Sequence, residues 1–493
     1  MIQRRGRRQL ATIASASAIA VALVLLGSIG LDSNAVAAHR TAAGPLLTSW
    51  PEFGLNPQRS DATDDSTGIT AANVGTLALR RVALPGTADN SPIFLSNVNV
   101  DGTVQNVAVV TTTYGITVAI DPADGHILWQ FTPPGIAAWQ GTYQFTTASP
   151  IADPSGQYVY ATSPNGLIHK LSIANGSEAP GWPVRITPLP SREKLTASLN
   201  IAGGELLATT GGYIGDQPPY VGHIVAIDTS SGQIDAVFNT LCARRHEIIA
   251  PSSCPASDSA ILSRSGPVVL PGGNAVLIAT GNAPWNGTTD FGDSLIELTL
   301  PGLRLVQAYA PNDQAMLNTS DTDEGSGSPA LLGDDLVLIG GKDGLLRVLS
   351  LRHLDGRHRR LPSRTGGQLQ ILPTPGGAEL WSAPAVWHSM VFVATGGGTT
   401  AYHLAHDRLH PAWSNGNHGT SPIVAGGLLY VYDMDDGGIN VYLPRSGRHV
   451  TTLASGAGHW NSPIVADGYL IEPEGNANND SRSGVLDIWS LPG

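Results

Sequence analysis

The sequence predicts an all-β fold, an eight-bladed β-propeller. Three observations carry the prediction: a short signature that recurs along the chain, a composition suited to short strands, and unpaired strands at the two ends of the repeat array. The signature is Ser-Pro followed by an apolar residue. It stands at Ser91-Pro92-Ile93, Ser149-Pro150-Ile151, Ser328-Pro329-Ala330, Ser421-Pro422-Ile423 and Ser462-Pro463-Ile464. Weaker forms at Ser198-Leu199, Gly266-Pro267-Val268 and Ala383-Pro384-Ala385 complete eight copies, 38 to 68 residues apart. Among 493 residues there are 58 Gly and 35 Pro but only 13% charged residues, which favours many turns and disfavours long helices.

Each signature opens the first strand of a blade, where Pro costs no ladder bond and Ser can hydrogen-bond a neighbouring blade. A second apolar run follows, as in "VAVVTTT" at 107, "VLIATGN" at 276, "LVLIGGKDG" at 336 and "LLYVYD" at 428. The third run appears as "ITVAIDPADG" at 116, "HIVAIDTSSG" at 223 and "INVYLPRSG" at 439, and a fourth often holds an aromatic, as in "HILWQF" at 126. In the last repeat "VLDIWSLPG" at 485 ends the chain as a third strand. "TLALRRVAL" at 76 precedes the first signature and supplies the fourth. The ring is therefore expected to close by pairing the N-terminal strand into the C-terminal blade, hiding both edges.

Ahead of the propeller (residues 76–493) the sequence reads as an export signal over 1–38 and an N-terminal extension over 39–75. Arg4, Arg5, Arg7 and Arg8 precede an uncharged stretch from Ala11 to Leu31, and Ala35-Val36-Ala37-Ala38 offers small residues for cleavage. The apolar stretch is also long enough to span a bilayer, so a membrane association is expected only if the leader stays uncleaved. The expected location is outside the cytoplasm: secreted, periplasmic or at the cell surface. Cys242 and Cys254, with eleven residues between them, read in an exported chain as one disulfide; a metal pair would need two further ligands. Net charge is −12, and loss of the leader, with four Arg and one Asp, makes it −15. Such a surface disfavours nucleic acid and favours neutral or cationic ligands. A monomer is expected.

Alternate connections of an antiparallel blade emerge on one face. The segment before each signature and the loop between strands two and three therefore converge near the central channel. That groups Asn282, Lys342, Glu474 and Asn476 with Asp321, Asp323, His418, His459 and Trp460, and it adds the Cys242–Cys254 loop with His246 and Glu247. A small-molecule ligand or a protein partner is expected at this face. Structural readings stand beside these: Asn282 as a left-handed turn residue, Asp321 and Asp323 as caps of backbone N–H groups, Lys342-Asp343-Gly344 as a hairpin turn, and Trp460 as packing between blades. The basic segment "LRHLDGRHRRLPSR" at 351 falls on the opposite face, as a solvated loop or a patch for an acidic partner.

The repeat ends "VAIDPADGHILW", with the opening "WPEFGLNPQRS" and "GITAANVGTLALRR", resemble the pyrroloquinoline-quinone (PQQ) proteins of the quinoprotein alcohol dehydrogenase-like superfamily. The resemblance runs from Trp50 to the end and covers dehydrogenases and non-enzymatic propellers alike. It implies PQQ and Ca²⁺ as cofactors, with Asn282 of "TGNAPWN" and Asp321 as metal ligands. It also implies Asp321 as the base that takes an alcohol proton, with Asp323 beside it. Lys342 would then stand against the quinone, with His459 and Trp460 near the cofactor.

The departures bear on the same chemistry. The adjacent Cys pair of those dehydrogenases is replaced by the spaced Cys242 and Cys254, Leu262 stands near the place of their indole floor, and Asp216 near that of their calcium-binding Glu. No Cys-x-x-Cys-His is present, so no c-type haem is expected; no Gly-x-Ser-x-Gly, His-Glu-x-x-His or phosphate loop occurs either. The reading is a ligand-binding or interaction module, with a Ca- and PQQ-dependent alcohol dehydrogenase as the alternative.

Overall fold

Eight four-stranded antiparallel sheets follow one another around a ring in the computed structural model, which describes residues 46–357, 360–479 and 482–492. The expected leader and residues 39–45 of the extension lie outside the described residues. No helix among the described residues is long and apolar enough to cross a membrane.

Outside blade one, where Ile93–Val100 extends to eight residues, the first strand of each sheet is short, and it begins buried because it lines the crowded axis; examples are Val268–Val269 in blade four and Ile464–Ala466 in blade eight. Second and third strands such as Ala275–Ala279 are buried along their length, since both faces pack on neighbouring blades. Closure follows the expected route. Ala78–Leu84 pairs antiparallel with Gly484–Ser490 as the fourth strand of blade eight, in a register running from Ala78 opposite Ser490 to Leu84 opposite Gly484. One apolar cluster joins the seam, with Phe94 and Val110 of blade one, Ile471 and Trp489 of blade eight, and Tyr430 and Ile439 of blade seven. The signature serines also bridge blades. Ser149 Oγ accepts the Ser91 N–H at 3.0 Å, Ser328 Oγ the Ser265 N–H at 3.0 Å, and Ser421 Oγ the Ala383 N–H at 2.9 Å.

The extension has a role that sequence reading did not assign: residues 47–63 plug the channel. Trp50 and Phe94 of blade one exchange backbone hydrogen bonds at 2.8 and 2.9 Å. Pro51 O accepts from Ala152 of blade two, Pro57 O from Val269 of blade four, and Ser60 O from Val386 of blade six, each at 2.9 Å. Asn200 of blade three reaches Pro57 O at 2.9 Å, Val424 of blade seven exchanges bonds with Asp61 and Thr63, and Asp467 of blade eight bonds Leu47 O. Buried Arg59 pins the plug by donating to Glu52 Oε2 at 2.7 Å and to the carbonyls of Phe53 and Leu199. These bonds meet the inner strands beyond their starting ends, so a pocket on the opening face is a blind well rather than the mouth of a bore.

Candidate functional site

The blind well is a cavity of about 380 Å³ on the face predicted from loop alternation. Its walls come from six blades: Phe145 and Thr147 before the inner strand of blade two, Leu262 and Arg264 before that of blade four, Asp321 and Asp323 before that of blade five, Trp381 of blade six, and His459 and Trp460 of blade eight. Blade three adds Lys194 and the 212–216 loop, blade five also gives Lys342, and blade eight also gives Asn478. Lys194 is fixed by a two-stranded ladder of Glu193–Lys194 with Gly211–Gly212. Gly212 is required there, because a Cβ would stand 2.6 Å from the Tyr220 ring.

Of the residues singled out from sequence, Asp321, Asp323, Lys342, His459 and Trp460 line this well together. Asn282 adjoins it, in the 280–294 loop between strands two and three of blade four. Its backbone N–H donates to Asp323 Oδ1 at 2.7 Å, and its side-chain amide donates to Asp216 Oδ2 at 3.2 Å. The approach depends on Gly281, where a Cβ would meet Asp323 Oδ1 at 2.2 Å. Lys342 Nζ pairs with Asp323 Oδ2 and, at 3.3 Å, with Asp321 Oδ1. Burial works against the Lys342 charge, but the two carboxylates more than offset it and its pKa is raised. Burial raises the Asp323 carboxyl in spite of Lys342. Burial and the Asp323 charge push Asp293 up to about 8.

Other expected members lie elsewhere. His418 pairs with Asp435 at 2.8 Å on the exposed 2–3 loop of blade seven, which gives nothing to the well. Glu474 bonds the Gly456 N–H and Arg81, and Asn476 accepts the Asn478 N–H. The Cys242–Cys254 pair is a disulfide, S–S 2.03 Å, but its loop lines a separate hollow with Arg244, Arg245 and Asp290, and His246 and Glu247 are exposed. The loop is carried outward along blade three's last strand, away from the axis. It buttresses the 280–294 loop instead: Ala243 N–H donates to Thr289 O at 3.0 Å and Cys242 N–H to Asp290 Oδ1 at 3.2 Å.

Sequence reading missed the strongest electrostatic element, Asp89. Fully buried ahead of the first inner strand, it accepts from His459 Nδ1 at 2.7 Å, Arg264 Nη2 at 3.1 Å, and the N–H groups of Trp460 and Ala477 at 3.2 and 3.0 Å. Burial works to raise its carboxyl, yet His459, Arg264 and the Ala477 N–H hold it well below the usual carboxylate range. Lys194 is the complement. Its Nζ lies 4.2 Å from the Phe145 ring centroid and pairs with no carboxylate among the described residues. Burial lowers its pKa to about 7, with Asp89 opposing and Arg264 adding to the fall. The well is thus bipolar: free Lys194 beside Arg264 on one side, Asp321 and Asp216 on the other. Trp381 and Trp460, with ring centroids 4.9 Å apart, form an aromatic wall, and Lys342 Nζ stands 5.2 Å from the Trp381 ring. The acidic surface favours cationic ligands; this interior also offers an anion a place.

The set does not fit a stacked quinone over calcium. Leu262, not an indole, occupies the floor position, and the disulfide lies outside the well. The cation between Asp321 and Asp323 is the protein's own Lys342, and Asn282 presents its amide nitrogen to Asp216. A larger hollow of about 500 Å³ on the opposite face, between blades four and five, is lined by Asp334, by Arg352 paired with Asp335 at 2.8 Å, and by Glu297, which accepts from Gln307. The basic segment at 351 lies on that face, between strands three and four of blade five.

No protein-family model matches the sequence, and no curated protein does. Solved structures do match in shape. Quinohemoprotein alcohol dehydrogenase from Comamonas testosteroni aligns at TM-score 0.65 and 15% identity, over 90% of this chain and 81% of its own. Quinohemoprotein alcohol dehydrogenase ADHIIG from Pseudomonas putida HK5 aligns at 0.67 and 13%, over 90% and 80%. A europium-containing methanol dehydrogenase aligns at 0.64 and 13%, over 90% and 98%. BamB from Moraxella catarrhalis aligns at 0.52 and 15%, over 84% and 98%. In fold, this chain is an eight-bladed β-propeller, similar in shape to these dehydrogenases and to BamB.

Proposed function

We propose that the chain is an exported ligand-binding propeller whose blind well takes a small molecule with a flat apolar body and an anionic group, and that it does so without quinone-dependent catalysis. One observation carries this: Lys194, an amine with no carboxylate partner among the described residues, faces an aromatic-walled well of about 380 Å³. The size suits a small organic molecule, and few placed polar groups in an apolar concavity are what orient one. The flat body would lie along Trp381 and Trp460, and the anion would meet Lys194 and Arg264. The basic, then apolar, N-terminus supports export, and the acidic surface supports a soluble chain with no nucleic-acid partner.

Titration of the mature protein with PQQ and Ca²⁺, followed by alcohols and an artificial electron acceptor, tests the non-catalytic half. No dye reduction is expected. Reduction that disappears in Asp321→Asn would overturn the reading in favour of a dehydrogenase. Calorimetric titration with naphthoate, a flat aromatic carboxylate, tests the binding half.

A further inference from the structure

The well has an acidic pole that a flat anion leaves unanswered. Asp216, Asp321 and Asp323 stand on its lining against a single cation on that side, Lys342. Lys342 pairs with Asp321 and Asp323, whereas Asp216 pairs with no cation among the described residues. Neutral donors hold Asp216 instead: the Tyr220 hydroxyl donates to Oδ1 at 2.7 Å and the Asn282 amide to Oδ2 at 3.2 Å. Such donors orient a carboxylate without cancelling its charge, and each oxygen keeps room for a further hydrogen bond. The neighbourhood reports the same excess. Burial pushes the Asp258 carboxyl up to about 6, and the charges of Asp216, Asp321 and Asp323 add to the rise. A field that holds a proton on one carboxyl also favours an ammonium beside the others.

The aromatic wall joins the two poles. Trp460 belongs to the basic end: its backbone N–H donates to Asp89 at 3.2 Å, and Arg264 reaches its carbonyl at 3.4 Å. Trp381 belongs to the acidic end, with Lys342 Nζ 5.2 Å from its ring. The two ring centroids are 4.9 Å apart. A flat body lying along both rings therefore points one edge toward Arg264 and Lys194 and the other toward Asp321 and Asp323.

We propose that the ligand of the well is a zwitterion, a flat aromatic molecule with a carboxylate at one end and a protonated amine at the other. This rests on the proposed function and adds the amine. The carboxylate meets Lys194 and Arg264, and the ammonium meets Asp216 and Asp321. The charges must lie at opposite ends, because an amine beside the carboxylate would sit against Lys194 and gain nothing.

Calorimetric titration of the full mature chain at pH 6 compares naphthoate with 6-aminomethyl-2-naphthoate. The amine is expected to tighten binding about tenfold, the worth of one charge-assisted hydrogen bond. The 6-hydroxymethyl analogue, of the same shape without the charge, should bind as naphthoate does. In the double variant Asp216→Asn with Asp321→Asn the gain from the amine should vanish. Naphthoate binding with no gain from the amine would overturn the zwitterion and leave the proposed function standing. An equal gain from the hydroxymethyl group, or a gain undiminished in the double variant, would overturn it as well. If none of the compounds binds, the proposed function itself fails and the zwitterion with it. If the double variant does not fold, the comparison of the compounds in the parent chain decides.

Discussion

Asp89 and His459 meet carboxylate to imidazole at 2.7 Å across the seam between the first and eighth blades, although 370 positions separate them in the chain. The contact exists only in the closed ring. Arg264 from the fourth blade reaches the same carboxylate at 3.1 Å, so one buried group ties three blades at the edge of the well. Closure and site formation are therefore one event.

Removing that carboxylate leaves Arg264 buried without its partner. Asp89→Ala is expected to cost about 3–5 kcal/mol, the usual penalty for breaking a buried ion pair from one side. Urea denaturation of the two proteins measures it. A loss within experimental error would show that water replaces the pair.

Lys342 bridges Asp321 and the buried Asp323. Lys342→Met should destabilise the chain by about 3 kcal/mol by leaving Asp323 without its cation. Adding Asp323→Asn should recover most of that loss. The double-mutant cycle reads the coupling directly, and simple additivity would contradict the pairing.

Several acids are pushed up by burial: Asp258 to about 6, Asp487 to about 7 and Asp293 to about 8. Below its unfolded pKa (about 4) such a group is protonated in both states and costs nothing. As pH rises toward the folded value, the unfolded chain releases the proton while the folded chain holds it, so stability falls. Melting temperature should therefore decline from about pH 5 to pH 7. Asp293→Asn should flatten the decline, and a curve unchanged by that substitution would contradict the assignment.

The disulfide closes a short loop that supports the 280–294 segment through Ala243 and Cys242. Replacing both Cys with Ser should cost about 3 kcal/mol through loop entropy in the unfolded chain. It should also speed hydrogen exchange at the Ala243 and Phe291 amides, both bonded between the two loops. Exchange rates unchanged at those amides would show that the brace is not mechanical.

The repeat and its closure were legible because each rests on local pattern: a Ser-Pro at every inner strand and a strand left over at each end. Loop alternation also brought Asp321, Asp323, Lys342, His459 and Trp460 to one place, since a propeller makes face and radius follow from position within a blade. It failed for His418 and the disulfide loop, where a loop shares the face but projects away from the axis. Asp89, Arg264 and Lys194 left no local trace. They sit in no motif, and their meaning comes from partners in other blades. The channel plug was hidden for a similar reason: apart from Arg59 and Ser49, 47–63 meets the blades through backbone groups, which any sequence carries.

The most direct test of the binding claim is the pH dependence of naphthoate affinity, measured by calorimetry in the parent chain and in Lys194→Met. Burial sets Lys194 at about 7, so its charged, anion-binding form dominates at pH 6 and is scarce at pH 8. Affinity in the parent should be about tenfold higher at pH 6 than at pH 8, in proportion to the protonated fraction. In Lys194→Met it should be weak and independent of pH. Equal affinity in the two proteins at both pH values would contradict the account.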